Sequence, residues 1–266
     1  MSDLTAFPAA AVARPAARLS DVRTMIARSV RLNTRNVDAL LTSVILPVLI
    51  MLLFVYLFGG AIETGTGQYV NYVVPGVLLL CTGFVSALTA TSVTEDLQEG
   101  IIDRFRSMDV SGAAVLAGHV AASVVRNVGS TVIVVAVALL IGFRPTAQPL
   151  EWLAAAAVLL MFVLAISWMS AAFGLLARTP EGAGGFSFFV MFLPYPSSAF
   201  VPIDTMPGWL HAFAEYQPAT PVIETLRGLL MGAPIGVSAW VAVAWCAGII
   251  VTSVAAAGFL FRRRTA

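Results

Sequence analysis

The sequence predicts an all-α membrane protein. It has six transmembrane helices, an amphipathic interfacial helix ahead of them, a charged cytoplasmic helix between the second and third spans, and external re-entrant helices between the fifth and sixth. Three observations carry this. Of 266 residues, 59 % are hydrophobic and 11 % charged, against roughly 25 % charged in an ordinary soluble domain. That is too few polar side chains to cover a water-soluble globule of this length. Several apolar runs approach the roughly 20 residues a helix needs to cross a bilayer. The remaining charge is clustered: "EDLQEGIIDRFRSMDVSG", Glu95 to Gly112, holds five acids and two arginines between two long apolar runs.

Residues 1–18 are expected to form a disordered cytoplasmic arm. They lack a basic head followed by an apolar core, so the first span is expected to insert as an uncleaved anchor. Over 19–38, Leu19, Val22, Met25, Ile26, Val30 and Val37 recur on one helical face, with Arg28, Arg31 and Arg35 opposite. This pattern suits a helix at the membrane interface, apolar side down and arginines toward the headgroups. Such a helix either anchors the topology or also presents a surface to a partner.

The spanning region is 39–261. The six spans fall at about Ala39–Phe58, Val70–Ser92, Gly118–Gly142, Trp152–Leu176, Gly185–Ile203 and Ser238–Phe261. With six spans, twelve of the fifteen arginines lie on one side, including Arg262, Arg263 and Arg264 in the 262–266 tail. The positive-inside rule makes that side, and both termini, cytoplasmic. The protein is then a multi-pass plasma (inner) membrane protein.

Two segments depart from simple spans. Pro194, Pro196 and Pro202 interrupt the fifth, each removing a backbone donor. Broken backbone at membrane depth needs protein or a water-filled cavity to satisfy it. The following region, 204–235, is too polar to span yet carries apolar residues at helical spacing. It reads as two short helices broken at "QPATP", or as an amphipathic external loop. On the sixth span, Ala244, Gly248, Thr252 and Ala256 form a small-residue ridge that would permit close helix packing.

Chemistry-bearing motifs are scarce. All 15 basic residues are arginine, so the lysine that a Walker A loop uses to reach the β/γ-phosphates is missing. A net charge of +1 gives no field for nucleic acid. Cys81 and Cys246 lie in apolar runs, and His119 and His211 fall on opposite sides of the membrane. There is no HExxH or GxSxG, and Ser167 and Ser170 have no histidine or lysine in reach. The chain is therefore expected not to be an enzyme. Arg126 is the charge within a span; it either snorkels to the near interface or faces a transport path.

Placed on a helix, Leu97, Ile101 and Phe105 align, with Asp96, Glu99, Asp103 and Arg106 around the other side. That arrangement suggests a docking element, without naming what docks.

The stretch "EDLQEGIIDRFRSMDVSGAAVLAGHV" resembles the cytoplasmic signature of type-2 ATP-binding-cassette exporter permeases, especially the daunorubicin-resistance-like drug-efflux branch. Asp96, Gly100, Asp103, Arg104, Phe105, Arg106, Ser107 and Met108 match, followed by Ala114, Val115, Leu116 and Gly118. "FVPIDTMPGWLHAFAEYQPATPVIETLRGLLMG" looks like the family's external re-entrant region. Asp109 stands where the family usually has proline, and His119 where it usually has arginine.

The resemblance implies the permease subunit of an ATP-driven exporter that moves a hydrophobic drug, antibiotic or lipid-like substrate out of the cell. Multidrug efflux and antibiotic resistance are the matching roles. Two cytoplasmic ATPase subunits would carry ATP and Mg, with no cofactor on this chain, and a second permease copy would complete the assembly. Within the 93–117 loop, Glu95, Asp96, Gly100, Ile101, Asp103, Arg104, Phe105, Arg106 and Ser107 would couple to the ATPase. Arg28, Arg31 and Arg35 would belong to the interfacial helix. Phe188, Phe189, Phe192 and Arg126 are candidates for the substrate path. The alternative is an ion-coupled or passive carrier or channel without an ATPase partner.

Overall fold

The computed structural model describes residues 19–35, 37–62, 68–101 and 112–265. The described residues are helical or irregular, without a β-strand. In chain order the helices are α1 (Leu19–Arg35), α2 (Val37–Leu53, continued by a π-helical turn Phe54–Phe58), α3 (Tyr69–Gln98), α4 (Gly112–Leu140) and α5 (Pro149–Leu176). Then come α6 (Pro180–Phe192), a 3-10 turn Ile203–Thr205, α7 (Gly208–Tyr216), α8 (Ala219–Met231) and α9 (Ser238–Thr265). Among the described residues four helices are long and apolar enough to cross a membrane: Tyr69–Gln98, Gly112–Leu140, Pro149–Leu176 and Ser238–Arg263. A shorter apolar helix covers Ser43–Phe58.

Helix α3 is the hub. Val73, Val77, Leu79, Leu80, Cys81, Val85, Ala90 and Val93 are fully buried along it, and it packs against α2, α4, α5, α6 and α8. Lipid is as apolar as leucine, so helix association in a bilayer rests on close packing and interhelical hydrogen bonds. Both are present here: Thr94 Oγ1 donates across to Gly174 O at 2.9 Å.

Local chemistry sets the starts of α5 and α6. At α5, Gln148 and Glu151 form a capping box, with Pro149 in the first turn. At α6, the Thr179 side chain accepts from Gly182 N at 3.2 Å. These bonds satisfy orphan donors of the first turn.

The fifth apolar run is less helical than its expected span, Gly185–Ile203. Helix α6 stops at Phe192, and turns occupy 193–200. The prolines remove ladder donors, and the exposed carbonyls find partners elsewhere in the chain. Ser197 Oγ donates to Pro194 O and Gln217 Nε2 to Pro196 O. Arg227 Nη2 donates to Ser198 O at 2.7 Å, and Tyr69 Oη to Phe200 O at 2.8 Å. The broken backbone is thus satisfied by protein.

The region after it forms α7 and α8, separated at Gln217 and Pro218. Helix α8 turns Ala219, Val222, Ile223, Leu226 and Leu230 into the core. Gly232, at φ 71°, ends α8.

Two expectations about faces are corrected. The ridge Ala244, Gly248, Thr252 and Ala256 is not used for packing within the described residues; the side of α9 turned inward carries Ala242, Cys246, Ser253 and Ala257. In α1, Met25 and Ser29 are buried because the helix lies along α4, so part of the face expected on lipid is used by the protein.

Candidate functional site

The charged stretch begins on α3 itself. Glu95 and Asp96 occupy its last turn, and the helix closes with Glu99 N donating to Glu95 O at 2.9 Å. Gly100 follows at φ +67°, a left-handed conformation that L side chains rarely adopt. Leu97 and Ile101 therefore do not share one continuous helix, contrary to the expected four-residue alignment. They still meet in space: both pack against Met25, Ala114 and Val115, together with Val22 and Phe261. Asp103, Arg104, Phe105, Arg106 and Ser107 lie outside the described residues.

Four elements converge at this junction. His119 Nε2 on α4 lies 3.1 Å from Asp96 Oδ2 on α3. Arg28 Nη1 on α1 approaches the same carboxylate oxygen at 4.0 Å. Arg28 thus faces an acid of the protein, where the sequence pattern directs it to headgroups; Arg31 is exposed, and the Arg35 side chain lies outside the described set.

Helix α1 can sit so close because residue 118 is glycine. A methyl group there would come within 3.0 Å of Ser29 Oγ and 3.1 Å of Met25 O. From the fourth element, α9, the Phe261 ring lies over Gly112, where any Cβ would overlap it. Gln98 Nε2 adds a tether to Arg178 O at 2.9 Å, beyond the end of α5.

A second polar feature runs through the apolar bundle. Ser43 Oγ and Ser130 Oγ are 3.0 Å apart, and Ser123 Oγ and Ser167 Oγ 2.8 Å. Asn127 Nδ2 donates to Ser86 Oγ at 3.0 Å and to Ser123 O at 2.9 Å. This seam joins α2, α3, α4 and α5, and Ser167 finds the neighbouring helix as its partner. Arg126 is only 5 % exposed. It is withdrawn into the protein on α4, so snorkelling along a lipid-facing surface does not describe it.

The third feature lies at the opposite end of α3. Arg227 is buried on α8, its guanidinium 3.8 Å from the Tyr72 ring centroid. It donates to Glu224 Oε1 at 2.7 Å and to Tyr72 O at 3.2 Å. This clamp and Asn127 both escaped the sequence reading. The signals were a Glu–x–x–Arg pair at helical spacing and a lone asparagine in an apolar run.

Of the candidate path residues, Phe189 and Phe192 line a cavity of about 590 Å³ at this end, together with residues of α7 and α9. Phe188 is 66 % exposed on α6. It and Arg126 are not among the cavity walls. Among the described residues no group of His, Cys, Asp and Glu could hold a metal ion.

Comparison with known proteins identifies the family. The family model for the ABC-2 type transporter matches residues 20–231. The daunorubicin resistance ABC transporter permease protein DrrB1 of Streptomyces coeruleorubidus is 35 % identical over 194 residues, covering 73 % of this chain and 69 % of that protein. The probable doxorubicin resistance ABC transporter permease protein DrrC of Mycobacterium tuberculosis is 25 % identical over 255 residues, covering 93 % and 91 %. The family match spans both ends of the charged junction and reaches the Arg227 clamp. The chain belongs to the ABC-2 type transporter family, as a membrane-embedded permease subunit.

Proposed function

We propose that the chain is the transmembrane half of an ATP-driven exporter, moving a hydrophobic drug, antibiotic or lipid-like molecule out of the cell. Membership of the family brings with it a separate ATPase subunit, and the named relatives are drug-resistance permeases. The observation that carries the reading is the junction where Asp96, His119 and Arg28 tie α1, α3 and α4 together. A loop that leaves α3 and returns at α4 there can pass a push to three helices at once.

In this reading α2 with its π-helical turn, and α6 with the turns after it, complete six spans. Both termini and the 93–117 loop are cytoplasmic, and the membrane is the plasma membrane. Residues 1–18 lie outside the described residues; 19–38 is the interfacial segment, 39–261 the permease domain with its external region at 204–235, and 262–266 the tail. Two ATPase subunits bind ATP and Mg, and a second permease copy faces this one. Glu95, Asp96, Gly100 and Ile101 with Asp103, Arg104, Phe105, Arg106 and Ser107 form the coupling element. Phe105 and Ile101 fill a groove on the ATPase, and the charges orient the contact. ATP-driven closure of the ATPase pair then moves the bundle between inward- and outward-open states.

The rival reading, an ion-coupled carrier or channel, is disfavoured by the composition of the intramembrane seam. Ion coupling draws on intramembrane carboxylates with partners, and the hydrogen-bonded seam among the described residues is built from serine and asparagine. The test is co-purification from native membranes, comparing tagged wild type with Phe105→Glu. An ATPase recovered with wild type and lost with the variant supports the exporter. No ATPase under extraction that preserves other complexes would move a carrier to the front.

A further inference from the structure

We propose that α4 has two registers against α3: the present one, and a second displaced by about one turn toward the Gln98 end of α3. Two contacts fix the present register, His119 Nε2 to Asp96 Oδ2 at 3.1 Å and Asn127 Nδ2 to Ser86 Oγ at 3.0 Å. A step of three residues along α3, about 4.5 Å at 1.5 Å per residue, brings each polar group of α4 to another polar partner. Asn127 reaches Thr89, and Ser130 takes the Ser86 that Asn127 leaves. His119 passes from Asp96 to Glu99, with Arg28 carried along on α1. One displacement re-pairs all three.

The groups that the second register joins are already in place. Thr89 is 1 % exposed, and its Oγ1 has no hydrogen-bond partner among the described residues. On a helix of 3.6 residues per turn it falls within about 60° of Ser86 and about 20° of Asp96, the two residues that α3 turns to α4. Asn127 Oδ1 is likewise buried with no partner among the described residues. After the step the Thr89 hydroxyl donates to it, while Asn127 Nδ2 keeps Ser123 O on its own helix. Unmade buried bonds cost free energy, and this pairing removes two of them. Against that gain, the step breaks the Ser43–Ser130 and Ser123–Ser167 bonds, which makes the present register the resting one.

Packing divides the helices into two bodies along this seam. Helices α3 and α5 are pinned together: a Cβ at Gly174 would meet Ala90 O at 2.5 Å, and Thr94 Oγ1 donates to Gly174 O. Helix α1 rests on α4 at Gly118. No described glycine presses α4 against α3 or α5 in the same way. At its outer end α4 gives way to Gly142, φ +109°, before Phe143 enters the core. Drawing residues 141 and 142 out toward the roughly 3.3–3.6 Å per residue of extended chain supplies the length, at the cost of the Phe143 N–Ala138 O bond. One-turn slides of a helix past its neighbour are an established form of switching between two packed states.

The step rests on the exporter reading only for its meaning, as the way a push on the loop travels along the bundle, and its test needs no ATPase. The full-length chain in lipid nanodiscs, with Cys81 and Cys246 replaced by alanine, receives one cysteine pair at a time. It is oxidised with copper phenanthroline, and linked peptides are read by mass spectrometry. Ser86→Cys with Asn127→Cys reports the present register. Thr89→Cys with Asn127→Cys, and Ser86→Cys with Ser130→Cys, report the second. Each pair is compared with itself across backgrounds. Asp96→Ala is expected to speed both second-register pairs about three- to tenfold, and Glu99→Ala to slow both by a similar factor. Thr89→Val removes no bond of the present register and is expected to slow the 86/130 pair about threefold.

The opposite signs of Asp96→Ala and Glu99→Ala separate a second register from general loosening. If both substitutions speed the second-register pairs, the helices merely breathe and the proposal is overturned. A rise of the 89/127 pair without the 86/130 pair would mean that the Asn127 side chain swings while α4 stays put, and would overturn it too. So would second-register pairs that respond to neither acid. Failure of the 86/127 pair in the otherwise unsubstituted chain would remove the present register and the proposal with it. A second register found without a co-purifying ATPase leaves the step standing and removes the exporter; the converse result removes the step alone.

Discussion

His119 Nε2 stands 3.1 Å from Asp96 Oδ2, joining the second turn of α4 to the last turn of α3, with Arg28 of α1 at 4.0 Å from the same oxygen. One carboxylate therefore holds two helices to a third. Hydrogen bonds to charged groups contribute about 1.5–3 kcal/mol when partly shielded, and the Asp96 side chain is 18 % exposed. Asp96→Ala should loosen α1 from the bundle. Trypsin cleavage at the exposed Arg23 and Arg31 should then be several-fold faster in detergent. Cleavage at the wild-type rate would remove Asp96 from the docking of α1.

The close approach of α1 to α4 at Gly118 gives a second prediction. A Cβ at this position meets Ser29 Oγ at 3.0 Å and backbone Met25 O at 3.1 Å. Gly118→Ala needs a shift of a few tenths of an ångström. Gly118→Val places two further carbons where backbone already lies, and overpacking of this kind costs about 1–3 kcal/mol. A cysteine pair bridging α1 and α4 should form efficiently in wild type and in Gly118→Ala, and poorly in Gly118→Val.

At the other end of α3, Arg227 donates to two carbonyls and a carboxylate and lies over Tyr72. Lysine supplies a charge but not a planar fork. Arg227→Lys should therefore recover only part of what Arg227→Ala loses, about 2–3 kcal/mol from the charge-assisted bonds. Thermal unfolding in detergent would show this as a graded series, with Tyr72→Leu between wild type and alanine. Equal stability of lysine and arginine would refute the forked clamp.

The serine–asparagine seam should matter less to stability than its length suggests. Interhelical hydrogen bonds in membranes average about 0.6 kcal/mol, because the unfolded chain in lipid also finds partners. Asn127→Leu removes the bond from α4 to Ser86 and should cost about 1 kcal/mol. Ser123→Ala, which breaks the Ser123–Ser167 bond, should cost less. Unfolding in mixed micelles by added denaturing detergent measures both, and a loss above about 3 kcal/mol would overturn the reading of Asn127 as a neutral hydrogen-bonding group.

Much of the architecture was legible in the chain because the bilayer demands it. Four long apolar helices fall where runs of roughly twenty apolar residues require them. The break at Gln217 and Pro218 was legible from proline chemistry. What escaped depends on which face of a helix meets which neighbour. Arg28 looks like a headgroup contact until Asp96 is placed beside it. The ridge at Gly248 looks like a packing seam until α9 turns its Cys246 face inward. Arg227 looks like a loop charge until the turns at Ser198 bring carbonyls to it. Each of these is a tertiary fact, set by partners outside the local stretch of chain or by rotation about a helix axis.

Gly100 gives α3 an asymmetry that bears on movement. At its Tyr69 end the helix is clamped by Arg227 and by the Tyr69–Phe200 bond. At its Gln98 end it meets the loop through a residue at φ +67°, a joint that an L side chain would strain. In the exporter reading proposed above, a push on the loop would reach α1 and α4 through the Met25–Val115 cushion and α3 through the Asp96 ties. The anchored Tyr69 end would then act as the fulcrum about which such a push turns the bundle.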